Sequence, residues 1–275
     1  FQKDDKGRLP SLTTVLTQEV DRYNILLKLI HSTMQTLKKA IRGFVVMSEA
    51  LEDVFKAFMN NQVPKMWSAK SYNSLKSLGS WTRDLLLRLD FICIWVRFGH
   101  PISYWISGFY FPQGFLTGTL QTHARKYELP IDELKFDFTV QAVVLDQEEI
   151  KQVHDEAGKE VFDVYGALTP PQDGVIIHGL FLDAGRWDLS MMKLVDPNPG
   201  EVNPPLPAVW LKPTTVLPDH DPRYVTPLYK TSVRAGTLST TGHSTNFVIA
   251  VLLPTLEKQS YWILKGTALL TQITD

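Results

Sequence analysis

Apolar residues recur at helical spacing through the first part of the chain. Leu12, Leu16, Tyr23, Leu26, Leu27, Ile30, Met34, Leu37 and Ile41 form one stripe, which predicts an amphipathic helix over residues 11–40. Pro10 and Ser11 mark its start, with Ser11 as N-cap, and Gly43 breaks it. Ser48 can cap a second helix, with Glu49 and Glu52 at its positive end and Leu51, Val54, Phe55 and Phe58 on one face. Residues 61–79 read as a connection punctuated by Pro64 and Gly79. Ser80 opens a third helix that runs to Phe98 and stops at Gly99 and Pro101. Its circumference is mostly apolar, so other elements should surround it. A short helix near 103–108 and a fuller one from Gly114 to Tyr127, ended by Leu129-Pro130, complete a helical half.

After Pro130 the period changes. Phe136, Phe138 and Val140 alternate with polar residues, as in a half-buried strand. Val161–Tyr165, Val175–Leu182, Val209–Leu211, Leu228–Thr231, Asn246–Leu253 and Tyr261–Leu270 are further strand candidates, separated by Gly and Pro signals. The charged stretch Asp146–Glu160, including Glu148 and Glu149, reads as a solvated connection or hairpin tip. Five of the 17 prolines fall in residues 1–169 and twelve in 170–275. Nine of them lie between Pro197 and Pro227, which predicts loop with short edge strands, because proline lacks a ladder donor. The expected fold is α+β: an α-helical part over 1–130, a connecting strand and charged linker over 131–160, and a small, mostly antiparallel β-barrel of about six short strands over 161–275.

Composition narrows the function classes. The 28 Lys+Arg against 29 Asp+Glu leave a net charge of −1, which argues against a general nucleic-acid binder. The lone Cys93 closes no internal disulfide, and the absence of Cys-x-x-Cys leaves no such zinc or redox motif; a reducing compartment fits best. Residues 1–10 lack the apolar core of a signal peptide. The most apolar stretch, Leu85–Phe98, is interrupted by Arg88, Asp90 and Arg97 and cannot span a bilayer. The chain opens with Phe1 rather than Met, as expected of a piece cut from something longer.

Catalytic motifs are scarce. No Lys-Ser/Thr pair carries the preceding glycines of a Walker A loop, and no G-x-G-x-x-G occurs, so ATP hydrolysis by this chain is not expected. Ser244 beside His243, with His178 as another base, could suggest a hydrolase. The small residue needed at 246 is Asn, however, and turn-forming hydroxyls leading into a strand are the commoner reading. The seven histidines form no H-x-x-x-H pair, and His220 between Asp219 and Asp221 reads as a solvated proline-locked turn. Catalytic, cofactor and metal residues are therefore all expected to be absent. Gly114-x-x-x-Gly118 suits close helix contact. Arg186-Trp187-Asp188 suits either a binding anchor or an internal stack with a salt bridge.

Several segments resemble the C-terminal region of dynein heavy chains. They include Val175–Leu182, Asp183–Asp188, Pro227–Thr231, Thr237–Phe247 and Tyr261–Leu270; the helical half adds Leu9–Thr14, Trp105–Gly118, His123–Tyr127 and Leu129–Asp132. The segments cover nearly the whole chain in order, and their style is closest to axonemal members. One departure stands out: many axonemal members have Gly-Ala before Arg-Trp-Asp, whereas this chain has Ala184-Gly185, which bears on the turn geometry there.

The resemblance implies a non-catalytic part of a ciliary or flagellar motor. It would pack on the AAA+ ring of the same heavy chain and support or regulate motor activity. ATP would be bound by upstream modules and microtubules by a stalk, neither in this chain; nucleic acid and membrane are not expected partners. Cytoplasm, cytoskeleton and the axoneme of a cilium or flagellum are the implied locations. Gly179, Leu180, Arg186, Trp187, Asp188, Trp210, Tyr229, Gly242, Asn246 and Trp262 are the candidate interface or family-motif residues. The rival reading is a module that binds other dynein subunits or an axonemal anchor, which exposed Trp187 or Trp210 would favour.

Overall fold

The computed structural model describes residues 7, 9–156, 162–218, 222–236 and 245–274. The helical half contains α1 (Ser11–Ile41), α2 (Glu49–Met59), a short α3 (Lys65–Ser68) inside the expected connection, α4 (Leu78–Phe98) and α5 (Pro112–Tyr127). Pro10, not Ser11, occupies the N-cap of α1, with Ser11 as the first helical residue. Ser48 caps α2 as expected, its side chain accepting from the Leu51 N–H. Gly118 lets α5 approach α1, since a Cβ there would lie 3.0 Å from Val15 Cγ2. The α4 helix is less enclosed than its composition suggests: Trp81, Leu85, Phe91, Ile92 and Trp95 are buried, but Leu86, Val96 and Phe98 are exposed.

The expected helix near 103–108 is instead a strand, β1 (Ser103–Trp105), followed by a 3-10 turn (Ile106–Gly108). β2 (Lys135–Val140) buries Phe136, Phe138 and Val140 on one side, matching the alternation. Asp146 caps a helix, α6 (Gln147–Asp155), where a solvated connection was expected. Ile150 buries itself, and Lys151 pairs with Asp90 of α4 at 2.8 Å, so the charged stretch docks. Phe162–Tyr165 forms a single helical turn, α7, not a strand.

The sheet half departs from the expected barrel. Its strands are β3 (Val175–His178), β4 (Leu180–Asp183), β5 (Arg186–Asp188), β6 (Lys193–Val195), β7 (Pro205–Leu206), β8 (Val209–Thr214), β9 (Arg223–Tyr229), β10 (Phe247–Pro254) and β11 (Ala268–Leu270). They form a four-stranded sheet ordered β1-β3-β8-β2, a five-stranded sheet ordered β10-β9-β11-β4-β7, and a β5-β6 ribbon. No closed ring exists among the described residues. Pairing is antiparallel except β1 with β3 and β11 with β9.

The expected strand Val175–Leu182 breaks at Gly179, whose φ of +81° sends β3 and β4 into different sheets. Tyr261–Leu270 also divides. Gln259–Lys265 is a helix, α8, ended by Gly266 in the left-handed region, and only Ala268–Leu270 is a strand. β8 and β9 were expected at edges but lie inside their sheets. Pro213 and Pro227 are tolerated because each lies beyond the segment paired with the second neighbour, β3 and β11 respectively.

One core runs through both halves, joining Leu16, Tyr23 and Trp81 to Val209, Leu228 and Trp262. Among the described residues no helix is long and apolar enough to cross a membrane.

Candidate functional site

The helices and sheets meet around a buried arginine. Asp84 and Arg88 stand one turn apart on the inner face of α4, and Arg88 is fully buried. Its Nε donates to Asp84 Oδ2 at 2.6 Å, and Nη1 donates to the Ser107 carbonyl. The guanidinium lies 3.7 Å from the Tyr72 ring centroid, within cation–π range. Burial alone would weaken the Arg88 charge, but Asp84, Tyr23 and Tyr72 together outweigh it and the pKa is raised. The Lys76 ammonium stands 4.0 Å from the other Asp84 oxygen.

Segment 106–111 is clamped from three directions. From α1, Tyr23 donates to the Gly108 carbonyl at 2.6 Å. Glu19, also on α1, accepts from the N–H groups of Tyr110 at 2.6 Å and Phe111 at 3.1 Å, and from Arg22 at 3.1 Å. Burial pushes the Glu19 carboxyl up, and these donors pull it back towards the charged form. From the sheet half, the Thr271 carbonyl just past β11 accepts from Ser107 Oγ, and Gln272 donates to the Asn73 carbonyl at 2.9 Å. Arg88 therefore sits where α1, α4, the 3-10 turn and the last strand are tied together.

A cleft of about 390 Å³ opens beside this junction, lined in part by Lys76, Asp84, Asp146, His178 and Gln272. His178 is buried, with Nδ1 2.8 Å from Ser103 Oγ and Nε2 3.1 Å from Gln147 Oε1. Burial pushes its pKa down to about 3, so the ring is neutral near pH 7. Both ring nitrogens are occupied and Ser103 is buried, so the pair locks β1, β3 and α6 together and offers no hydroxyl to a substrate. Among the described residues no group of three His, Cys, Asp or Glu side chains is placed to hold a metal.

The residues singled out from the sequence fall in several places. Gly179 lies against Trp105: a Cβ there would come within 2.4 Å of the indole Cδ1. Leu180 is buried beside it. Arg186 and Asp188 flank buried Trp187 on β5. The arginine lies 3.5 Å from Asp188 and 3.8 Å from Glu201, so the salt bridge of the internal alternative is present. Asp188 turns the backbone by accepting from the Ser190 and Met191 N–H groups. Trp262 is fully buried and donates to Thr255 Oγ1 at 2.9 Å. Trp210 is half-buried on the four-stranded sheet, its N–H spent on the Asp173 carbonyl at 2.9 Å. Tyr229 packs edge-on against Phe247, and buried Asn246 donates to Thr231 Oγ1 at 2.9 Å. Gly242, His243, Ser244 and His220 lie outside the described residues.

The turn before Arg186 does not explain the departure from the family motif. Ala184 has φ +55°, whereas Gly185 is not in the left-handed region. The common Gly-Ala order would put glycine where that conformation costs nothing. Sequence reasoning missed Asp84, Arg88, Glu19 and the Ser103–His178 pair. Opposite charges spaced i, i+4 on the apolar side of α4 were the available signal for the first two; Ser103 and His178 are 75 residues apart and carried none.

The family model for the C-terminal domain of dynein heavy chains matches residues 1–271. The protein belongs to that family. Human dynein axonemal heavy chain 6 is 55% identical over the whole of this C-terminal domain, which corresponds to 7% of that relative's length. Human dynein axonemal heavy chain 1 is 48% identical over 94% of the domain, and rat dynein axonemal heavy chain 12 is 46% identical over 96% of it. The domain spans less than a tenth of the length of each of these relatives.

Proposed function

We propose that this dynein C-terminal domain is a non-catalytic brace of an axonemal motor. It packs on the AAA+ ring of its own heavy chain and supports or regulates the motor's output in a cilium or flagellum. ATP is bound by other modules of the parent protein, and microtubules by its stalk. The observation that carries this reading is the Arg88 junction, which ties helices and sheets to one core, as a part transmitting force between two contacts requires. Such a brace acts by binding the ring's conformations unequally, because equal affinity shifts nothing.

The rival reading, a module recruiting another subunit through tryptophan anchors, loses support because Trp187 is buried and Trp210 is half-buried with its N–H satisfied. The test is deletion of the domain from the full motor. Because the halves share a core, the whole domain is removed rather than residues 160–275 alone. Velocity, stall force or ATPase coupling should change while nucleotide binding upstream is retained. Unchanged motility and force would overturn the proposal.

A further inference from the structure

The far end of the α1–α2 hairpin is apolar and open. A groove of about 470 Å³ runs between the last turns of α1 and the facing side of α2, lined by Met34, Leu37, Ile41, Phe55 and Phe58. Ile41 is 59% exposed, and in the adjoining turn Phe44 and Val46 are 77% and 87% exposed. The same α1 stripe that builds the core upstream through Leu16, Tyr23 and Leu26 continues here: Leu37 is buried against Leu51 and Val54 of α2, while Met34, Ile41 and Phe55 beside it stay exposed. The charged residues at the groove are Lys38 and Arg42, and neither has an ion-pair partner among the described residues. Nearby Lys56 is already paired with Glu52 at 3.0 Å.

We infer that this groove seats an amphipathic helix from the remainder of the parent heavy chain, its apolar face inward and its carboxylates towards Lys38 and Arg42. A trough between two helices with a charged rim fits the apolar stripe of a third helix. Lys38 and Arg42 select acidic residues beside that stripe. The parent protein is the source because more than nine-tenths of each matched relative lies outside this domain, and a contiguous apolar surface of this kind marks an interaction site. A second copy is disfavoured, since a two-fold contact centred on the groove would set Lys38 and Arg42 against their own equivalents. An anionic bilayer is disfavoured by Glu49, Glu52 and Asp53 on the start of α2, next to the exposed turn. The inference rests on the brace reading and adds the surface through which the brace holds.

The experiment places photoreactive benzoylphenylalanine at position 44 or 46 of the full-length heavy chain, with a third probe at the exposed position 264 of α8. Adducts from 44 and 46 should map, by mass spectrometry, to a segment of the same polypeptide outside this domain that carries Asp or Glu beside helically spaced apolar residues. Combining Lys38→Glu with Arg42→Glu should cut that yield at least about tenfold, as expected for loss of two complementary contacts. Limited proteolysis of the full-length double variant should give the same fragments as the native heavy chain, because both residues are exposed and their replacement leaves the core intact. Adducts only to a second copy, to lipid or to another protein would overturn the inference. So would silence at 44 and 46 while the probe at 264 reports contacts within the same polypeptide. If 44 and 46 are silent but domain deletion alters motility, the groove falls and the brace stands. If adducts form as described but deletion changes nothing, the brace falls and the groove stands.

Discussion

Replacing Arg88 with methionine tests whether the junction holds the two halves together. The substitution keeps much of the side-chain volume and removes three interactions at once: the 2.6 Å contact to Asp84, the bond to the Ser107 carbonyl and the stack on Tyr72. Asp84 is buried, and what remains to it is Lys76 at 4.0 Å. Breaking a buried pair by removing one partner costs about 3–5 kcal/mol, because the other charge is left uncompensated. For a protein of this size that corresponds to a fall in melting temperature of roughly 6–20 °C. Thermal unfolding followed by circular dichroism and tryptophan fluorescence at pH 7 reads the change. Asp84→Leu combined with Arg88→Met should recover much of the loss, since replacing both partners by apolar groups removes the stranded charge. A loss below about 1 kcal/mol for Arg88→Met, or purely additive behaviour in the double mutant, would refute the assigned role.

Five further substitutions probe single sites. Gly179→Ala should cost about 2–4 kcal/mol, because it adds strain at φ +81° to a collision with Trp105. Gly200→Ala, at φ +79° with open space around it, should show only the backbone cost of about 1–2 kcal/mol; equal losses in urea melts would mean the Trp105 contact is unimportant. Ala184→Gly should stabilise by about 0.5–1 kcal/mol by relieving φ +55°, and a lower denaturation midpoint would contradict this. Thr255→Val strands the buried Trp262 N–H and should cost about 1–3 kcal/mol in the same assay. His178 has a folded pKa of about 3, below its unfolded value near 6.5, so its neutral form supports folding fully above pH 6.5. That support falls as the pH drops from 6.5 towards 3, by about 2 kcal/mol at pH 5. The stability difference between the native protein and His178→Gln should narrow across that window, and a constant difference would show that His178 does not titrate as described.

The helical half was legible because its period is long and its punctuation local. The α1 stripe and the Ser48 cap each needed only neighbouring residues, and the Gly114–Gly118 spacing flagged a close contact whose partner, Val15 of α1, is distant in sequence. The sheet half was harder because its decisive facts are not local. Val175–Leu182 reads as one apolar run, yet a single left-handed glycine sends its halves to two sheets. In Gln259–Lys265, Trp262 points in while Ile263 and Leu264 point out, a helical arrangement that strand-like composition conceals. Asp146–Glu160 looked solvated because charge dominates it, but Ile150 and a pairing with Asp90 on a distant helix were enough to dock it. The site suffered most. Family motifs led to tryptophans that pack inside the protein, while the polar hub is assembled from α1, α4 and the C-terminal residues, whose meeting no spacing rule reveals.

That hub bears on why a brace would keep costly buried charges. Apolar packing alone tolerates small shifts of one element over another, because dispersion is nearly indifferent to direction. The bonds from Arg88, Tyr23, Glu19 and Ser107 onto segment 106–111 and the Thr271 carbonyl are directional, so each fixes an orientation as well as a distance. A part that must favour one ring conformation over another has to present its two ends in a fixed relation; if that relation is soft, the difference in affinity is spent on its own deformation. On the proposed reading, a junction mutant that still folds should weaken coupling in the motor before it weakens attachment to the ring. Arg88→Lys is the variant to use, because it retains the charge but loses the planar fork that reaches Asp84 and the Ser107 carbonyl together. Attachment retained with altered stall force supports a mechanical role for the hub, and loss of attachment with unchanged force per bound domain would refute it.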